Sequence, residues 1–134
     1  MIFLDTSFLF AFFIHRDKYH QNAIALMKDI KNRKYGIAYI SNLVFGEIMT
    51  LLRARGTKTE KIKEIGGTLI NAEEFEFIHS SQYIFNRAWE RFLKYEKISF
   101  TDCTIIETMI LAGIDNIASF DKDFDFSNEI RRIE

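Results

Sequence analysis

Four acidic side chains lie next to the ends of segments that read as strands or helices. Asp5 directly follows the apolar run MIFL, and Asp121 directly follows the run NIASF. Asp102 falls in the first turn of a helix predicted from SFTDCTIIETMILAG, and Glu47 lies about one turn into a helix predicted from SNLVFGEIMTLL. Ligands of open parallel sheets bind beyond the carboxyl ends of the strands, where the strand order reverses. If the first and fourth strands are neighbours, the four carboxylates can converge in one pocket.

The chemistry expected of such a pocket is metal binding. Carboxylates held close together repel one another, and an unpaired buried carboxylate is costly, so a positive group is expected between them. Hard divalent cations prefer oxygen ligands, which favours Mg2+ or Mn2+. Zn2+ is a poorer match, because no histidine accompanies the four acids.

Each acid also has a purely structural interpretation. Asp102 can favour the positive end of its helix, whereas Asp5 and Asp121 can be turn residues after strands. Glu47 can be a tolerated polar residue at the margin of an apolar stripe.

Glu47 is the least expected of the four, because it stands among apolar residues. At about 100° per residue it falls between Leu43 and Leu51, and it lies only about 60° from Thr50 on the polar flank of the helix. Ser41 is well placed to cap this helix. We therefore expect Glu47 to face the mouth of a cleft and to help line the metal pocket.

The elements that must position these acids alternate along the chain. Five short apolar runs read as strands, at residues 1–4, 36–40, 75–79, 116–120 and 130–133. Segments with helical spacing of apolar residues lie between them, notably over 20–33, 60–70 and 81–93. This alternation predicts an α/β fold of three layers (α/β/α), in which helices cover both faces of a mainly parallel five-stranded sheet.

The composition fits a single domain over residues 1–134. The chain is 48% hydrophobic and contains 14 Phe, which is enough for a substantial core, and no proline, linker or repeat divides it. The formal net charge of -1 argues against a strongly basic, non-specific nucleic-acid binder. The single cysteine, Cys103, fits a packed thiol in a reducing compartment.

The apolar amino terminus is expected to belong to the fold and not to a targeting signal. No basic residue precedes its apolar part, and Asp5 interrupts it. No other window has the uninterrupted apolar length of a membrane span. A cytoplasmic protein that does not contact membranes is expected.

Four motifs together resemble the PIN domain, and in size the chain is similar to the toxin ribonucleases of VapC type. The motifs are MIFLDTS, ISNLVFGEI, ISFTDCTIIETM and IASFDKDFD, and they span almost the whole chain in this order. The resemblance implies that Asp5, Glu47, Asp102 and Asp121 form an acidic metal-binding quartet. It also implies that Thr6 or Ser7 supports the first acid, and that Mg2+ or Mn2+ is the cofactor.

The resemblance further implies a metal-dependent endoribonuclease that leaves 5′-phosphate and 3′-hydroxyl ends. Expected partners are an RNA substrate, a second copy of the chain in a homodimer, and a small antitoxin protein. We assign Asp5 and Asp102 as main ligands, and Asp121 as ligand to a second or water-mediated ion. Glu47 is either a ligand or a base that orients water. The cluster DKDFD leaves a further alternative, since Asp123 or Asp125 could replace or supplement Asp121.

An RNA substrate requires basic groups around an acidic pocket. Three groups of basic residues are candidates, although a solvated helix face is the commoner explanation for each of them: Lys31, Arg33 and Lys34; Arg53, Arg55 and Lys58; and Arg87, Arg91 and Lys94.

Other functions fit the sequence less well. A phosphohydrolase of the haloacid-dehalogenase type would use Asp5 as nucleophile, but Ser7 occupies the position where such enzymes place a second Asp. No Gly-rich turn follows a strand, which argues against dinucleotide binding, and no P-loop is present. The alternatives kept open are a PIN-domain RNA-processing nuclease without an antitoxin, and a PIN-like scaffold that binds RNA or protein without cutting.

Overall fold

A computed structural model describes residues 1–134 and contains one sheet of five parallel strands. The strands are β1 (Ile2–Leu4), β2 (Ala38–Ser41), β3 (Phe75–Ile78), β4 (Asn116–Ala118) and β5 (Arg131–Ile133). Their order across the sheet is β3-β2-β1-β4-β5, and every neighbouring pair is parallel. The strand order therefore reverses between β1 and β4, which pair through Phe3 and Ile117. The predicted α/β class, the parallel sheet and all five predicted strands are confirmed.

Six helices and a 3-10 helix connect the strands. They are α1 (Thr6–Phe13), α2 (His20–Lys31), α3 (Asn42–Ala54), α4 (Thr59–Asn71), α5 (Gln82–Lys94) and α6 (Phe100–Ala112), followed by η1 (Lys122–Phe126). Contacts join α1 to α2 and α3, and α3 to α4, whereas α5 packs on α6. Right-handed crossovers place the first four helices on one face of the sheet and the α5–α6 pair on the other. The predicted three-layer arrangement follows.

Helix α1 is the element that apolar spacing does not reveal. Its sequence, TSFLFAFF, is apolar on nearly all sides, because the helix is packed among other elements, and Phe8, Leu9 and Ala11 are fully buried. A helix that is apolar all round carries no 3.6-residue pattern to detect. The helix nevertheless begins at a recognisable cap, since the Asp5 side chain accepts a hydrogen bond from the Ser7 backbone. None of the helices combines the length and the apolar character that crossing a bilayer requires.

Candidate active site

Asp5 lies at the carboxyl end of β1 and is almost fully buried, with 4% of its surface exposed. Its Oδ2 accepts hydrogen bonds from Ser7 Oγ at 2.6 Å, from Ser119 Oγ at 2.7 Å and from the Ser7 backbone N–H at 3.2 Å. Burial raises the pKa of Asp5 above its usual value, and these hydrogen bonds oppose that rise. The side chain is thus held in one orientation by Ser7 and Ser119, which lie just after the neighbouring strands β1 and β4.

Ser119 connects the ends of β1 and β4 and was not among the residues expected from the sequence. Besides its bond to Asp5, its Oγ accepts a hydrogen bond from the Asp121 backbone N–H at 3.0 Å and lies 3.0 Å from Ser7 Oγ. Ser7 Oγ in turn accepts from the Phe120 backbone N–H at 3.0 Å. Ser119 is fully buried at the end of an apolar strand, and a serine at that position, two residues before Asp121, is the signal that could have identified it.

Asp102 has both a structural and an electrostatic role. It forms a capping box with Ser99: the Ser99 Oγ accepts from the Asp102 backbone N–H at 3.0 Å, and the Asp102 carboxylate accepts from the Ser99 backbone N–H at 3.3 Å. The Ser99 hydroxyl also donates to this carboxylate, at 2.6 Å. Ser99 is thus the N-cap of α6. Burial above all, and then the negative charges of Asp5, Asp121 and Glu47, raise the pKa of Asp102 to about 6, against the lowering effect of its hydrogen bond with Ser99. The four predicted acids therefore lie within electrostatic reach of one another.

Glu47 projects from α3 toward the start of α1. The helix begins after Ser41, whose Oγ accepts from the Val44 backbone N–H at 3.2 Å, as expected. The Glu47 side chain is exposed, while Val44 and Ile48 on the same helix are buried. Its Oε2 accepts a short hydrogen bond from Thr6 Oγ1, and Thr6 is itself buried next to Asp5. A side chain of α1 therefore fixes the direction of this carboxylate.

The three acids of the DKDFD cluster are in different environments. Asp121 caps η1, and its Oδ1 accepts from the Asp123 backbone N–H at 2.9 Å. Asp125 forms a two-pronged ion pair with Arg132, with N–O distances of 2.7 and 2.9 Å, and this pair lowers the pKa of Asp125. Asp123 is exposed. Asp125 is thus already paired, and Asp121 is the acid of the cluster that acts electrostatically on Asp102.

The donor set fits a hard divalent cation that keeps much of its water shell. No group of three His, Cys, Asp or Glu side chains is spaced to hold an ion directly. The charges of Asp5, Asp121 and Glu47 nevertheless all act on Asp102, and the hydroxyl oxygens of Ser7 and Ser119 lie beside the Asp5 carboxylate. Mg2+ is bound in this way, through one or two carboxylates together with waters and substrate phosphates. The four side chains do not form a preformed cage around one ion.

The basic residues proposed to surround the pocket are only partly available. Arg91 and Arg87 are paired with Glu107, at 2.7 and 3.3 Å, and Arg91 also pairs with Glu129 at 3.0 Å. Glu107 is 5% exposed and was not singled out in the sequence. The idea that both arginines line an RNA-binding face is therefore wrong for Arg91, which is nearly buried, and weakened for Arg87.

The other two groups of basic residues differ in whether their side chains form ion pairs. Lys31 pairs with Glu74 at 3.6 Å, and Lys34 pairs with Asp29 at 2.6 Å. Arg53, Arg55 and Lys58 are exposed, and none of them takes part in an ion pair of the chain.

Comparison with known proteins agrees with this architecture. The family model of the PIN domain matches residues 2–126. A VapC ribonuclease of Archaeoglobus fulgidus is 26% identical over 102 residues, which cover 74% of this chain and 64% of that protein, so the match spans less than two thirds of the relative. The crystal structure of Mycobacterium tuberculosis VapC20, described as a sarcin-ricin loop cleaving toxin, superposes with a TM-score of 0.86 at 27% identity and covers 97% of both chains.

Two more distant structures share the fold. FitAcB of Neisseria gonorrhoeae superposes with a TM-score of 0.71 at 14% identity, over 100% of this chain and 97% of that one. PAE2754 of Pyrobaculum aerophilum superposes with a TM-score of 0.59 at 16% identity, over 98% and 87%. At these identities the likeness concerns the fold alone.

Proposed function

The chain belongs to the PIN-domain family, and we propose that it is a divalent-metal-dependent endoribonuclease that acts as the toxin of a toxin–antitoxin pair. The observation that carries the proposal is the meeting of acids at the carboxyl ends of β1 and β4, where the Ser119 hydroxyl joins Asp5 to the Asp121 backbone and Thr6 holds Glu47 next to Asp5. The charges of these three acids also act on Asp102. Acids that are brought together against their own repulsion need a cation. The VapC ribonuclease and the sarcin-ricin loop cleaving toxin among the similar proteins support RNA as the substrate.

Four residues would hold the cation, Mg2+ or Mn2+. We assign Asp5 and Asp102 as its main ligands, Asp121 as ligand to a second or water-mediated ion, and Glu47 as ligand or water-orienting base. When bound, the cation supplies Lewis-acid polarisation of a water and of the scissile phosphate.

The residues of the chain itself provide orientation. Ser7 and Ser119 direct the Asp5 carboxylate, because both hydroxyls donate to the same oxygen, Oδ2. Thr6 occupies Oε2 of Glu47, which leaves Oε1 without a hydrogen bond in the chain and available to a water. A water activated at Oε1 would give up its proton there as it attacks phosphorus. We expect hydrolysis to leave a 5′-phosphate and a 3′-hydroxyl.

A protein partner fits the exposed aromatic face of α5. Phe85, Trp89 and Phe92 follow one another at helical spacing and remain 50%, 49% and 37% exposed. Phe85 and Phe92 contact Phe100 edge-on, with centroid distances of 5.3 and 5.9 Å. Contiguous exposed aromatic area is typical of protein interfaces. We assign this face to a second copy of the chain or to an antitoxin helix. The molecular mass in solution of a Trp89→Glu variant, against the wild type, tests the homodimer.

The test of the nuclease is cleavage of a pool of structured RNAs with Mg2+ or Mn2+, compared with EDTA and with an Asp5→Asn variant purified identically. Cleavage that needs both the cation and Asp5 supports the proposal. Equal cleavage by both proteins contradicts it, since the activity would then belong to a contaminant or another site. If neither protein cuts although the cation binds, a scaffold without catalysis is the better account. Neutralisation by the product of an adjacent short reading frame would separate a toxin from an RNA-processing enzyme.

A further inference from the structure

A cleft of about 550 Å3 lies beside the carboxylate cluster and has no part in the function described so far. One wall is the connection between α5 and α6, which includes Tyr95 and Ile98 and leads directly to Ser99, the partner of Asp102. The other wall is η1, with Lys122 and Phe126, and it begins directly after Asp121. Both walls therefore continue from segments that carry site carboxylates.

The lining of the cleft is aromatic. The rings of Tyr95 and Phe126 lie 5.5 Å apart between centroids, at an angle of 50°. Phe126 is 42% exposed, so its ring offers a large apolar surface to solvent, and the buried Ile98 also lines the cleft. Tyr95 is partly buried, and the Lys94 ammonium lies 5.3 Å from the centroid of its ring. The exposed Phe126 ring, supported by Tyr95, provides a platform on which a planar group can stack.

The rim of the cleft is basic. Lys94, Lys97 and Lys122 line it together with only two acids, Glu96 and Asp123, which leaves an excess of one positive charge. None of these lysines takes part in an ion pair of the chain. This positive charge stands next to an acidic cluster in a chain whose formal net charge is -1. The cleft therefore offers phosphates a favourable position that the carboxylates themselves do not.

We propose that the cleft binds an unpaired nucleobase of the RNA substrate, stacked on Tyr95 and Phe126, while its lysines contact the flanking phosphates. Aromatic side chains recognise single-stranded RNA by stacking on bases that are turned out of a helix. Because Lys122 is adjacent to Asp121, a strand anchored there would continue toward the carboxylates. The inference rests on the proposed ribonuclease function and adds a preference for a looped or single-stranded substrate.

The test measures RNA binding separately from cleavage. The probe is a fluorescein-labelled pool of random RNA hexanucleotides, with an abasic hexamer of the same sugar–phosphate backbone as the comparison. Binding is measured by fluorescence anisotropy with Mg2+ in an Asp5→Asn background, so that the probe is not cut. Phe126→Ala removes the stacking ring, Lys122→Gln removes a phosphate contact, and Tyr83→Ala, an exposed aromatic outside the cleft, is the matched control.

We expect Phe126→Ala to weaken binding of the intact RNA roughly 5- to 100-fold and to leave binding of the abasic hexamer unchanged. Lys122→Gln should weaken binding of both probes and reduce the salt slope by about 1. Tyr83→Ala should behave as the parent. The melting temperature of each variant shows whether it is folded, and the exposed position of Phe126 favours an intact fold.

The proposal is overturned if Phe126→Ala and Tyr83→Ala bind the intact RNA equally, if the abasic hexamer binds as tightly as the intact RNA, or if the parent binds neither. The nuclease proposal is judged separately, from cleavage by the protein with Asp5 restored. Base-dependent binding without any metal-dependent cleavage would support the cleft as a base-binding site and contradict the nuclease proposal. Asp5-dependent cleavage that is indifferent to Phe126→Ala would do the reverse.

Discussion

The Asp102→Asn variant should separate the stability of this protein from its function. The pKa of the Asp102 carboxyl rises from 3.8 to about 6 on folding, because the side chain is partly buried and faces three other acids. The difference of about two pH units corresponds to roughly 3 kcal/mol at most, and solvent around the partly exposed side chain reduces this to about 1–2 kcal/mol. Asn removes the charge but keeps an oxygen that can accept from Ser99 in the capping box.

The pH dependence follows from the direction of the pKa change. Between pH 3.8 and about 6 the folded wild type binds the Asp102 proton more tightly than the unfolded chain does. The contribution of this group to the free energy of unfolding therefore falls as the pH rises through this window, and it stays low above it. The difference in stability between Asp102→Asn and the wild type should accordingly be small near pH 4. Above pH 6 the variant should be about 1–2 kcal/mol more stable in EDTA.

The assay is urea unfolding in EDTA from about pH 4 to about pH 8, repeated with Mg2+. Bound cation stabilises only the folded state, so the wild type should gain stability with Mg2+ and the variant should gain less, while RNA cleavage by the variant is lost. Asp115→Asn, an exposed acid whose side chain makes no hydrogen bond in the chain, is the charge-matched control and should remain within about 0.5 kcal/mol of wild type. If Asp102→Asn is no more stable than wild type above pH 6 in EDTA, the inference that the other three acids and burial destabilise the charged Asp102 is wrong.

Three further changes test other parts of the structure. Thr6→Val removes the hydrogen bond to Glu47 and should lower kcat about 10- to 100-fold, as expected for loss of a bond to a charged group. Equal losses of kcat in Thr6→Val, Glu47→Gln and the double variant would confirm that the two residues act as a unit. Additive losses would contradict it. Glu107→Gln leaves the nearly buried Arg91 with a weaker partner. Urea unfolding should show that the free energy of unfolding falls by about 3 kcal/mol. A loss below about 0.5 kcal/mol would show that the ion pair is solvated. Gly113→Ala places a side chain at a φ of 65° at the end of α6. Thermal unfolding should show that the free energy of unfolding falls by about 1 kcal/mol. An unchanged melting temperature would argue against the left-handed cap.

Much of the architecture could be predicted, because its signals are local. Short apolar runs that alternate with helical segments over most of the chain are sufficient to predict a parallel α/β sheet, and Ser41 and Ser99 cap their helices as their residue types suggest. Helix α1 could not be detected in this way, because its sequence is apolar on nearly all sides, including at the partly buried Phe10, Phe12 and Phe13. The pattern that reveals a surface helix is absent when no side of the helix carries a run of polar residues.

The site was harder to predict, because its supports come from contacts between distant segments. Ser119 and Ser7 are 112 residues apart, and their meeting depends on the pairing of β1 with β4. Arg91 is likewise excluded as an RNA-binding candidate by its ion pair with Glu107. Nothing in the spacing of the sequence indicates that these two residues pair. Residue type identifies an acid or a base, but only the tertiary structure shows whether that group is already paired.

The structural and functional interpretations of the acids turn out to be compatible. Asp5 caps α1, Asp121 caps η1, and Asp102 completes the capping box of α6, so three of the four carboxylates lie at helix starts. Unpaired N–H groups and the helix dipole stabilise negative charge at such positions.

These helix starts explain how the folded chain tolerates several acids around one volume before any cation binds. Glu47 is the exception, because it lies within a helix. It is also the exposed member of the set, and the Thr6 hydroxyl supplies the hydrogen bond that a helix start supplies to the others. The carboxylate with the least support from the backbone is therefore held by a side chain through Oε2 and presents its other oxygen, Oε1, to a water or a substrate.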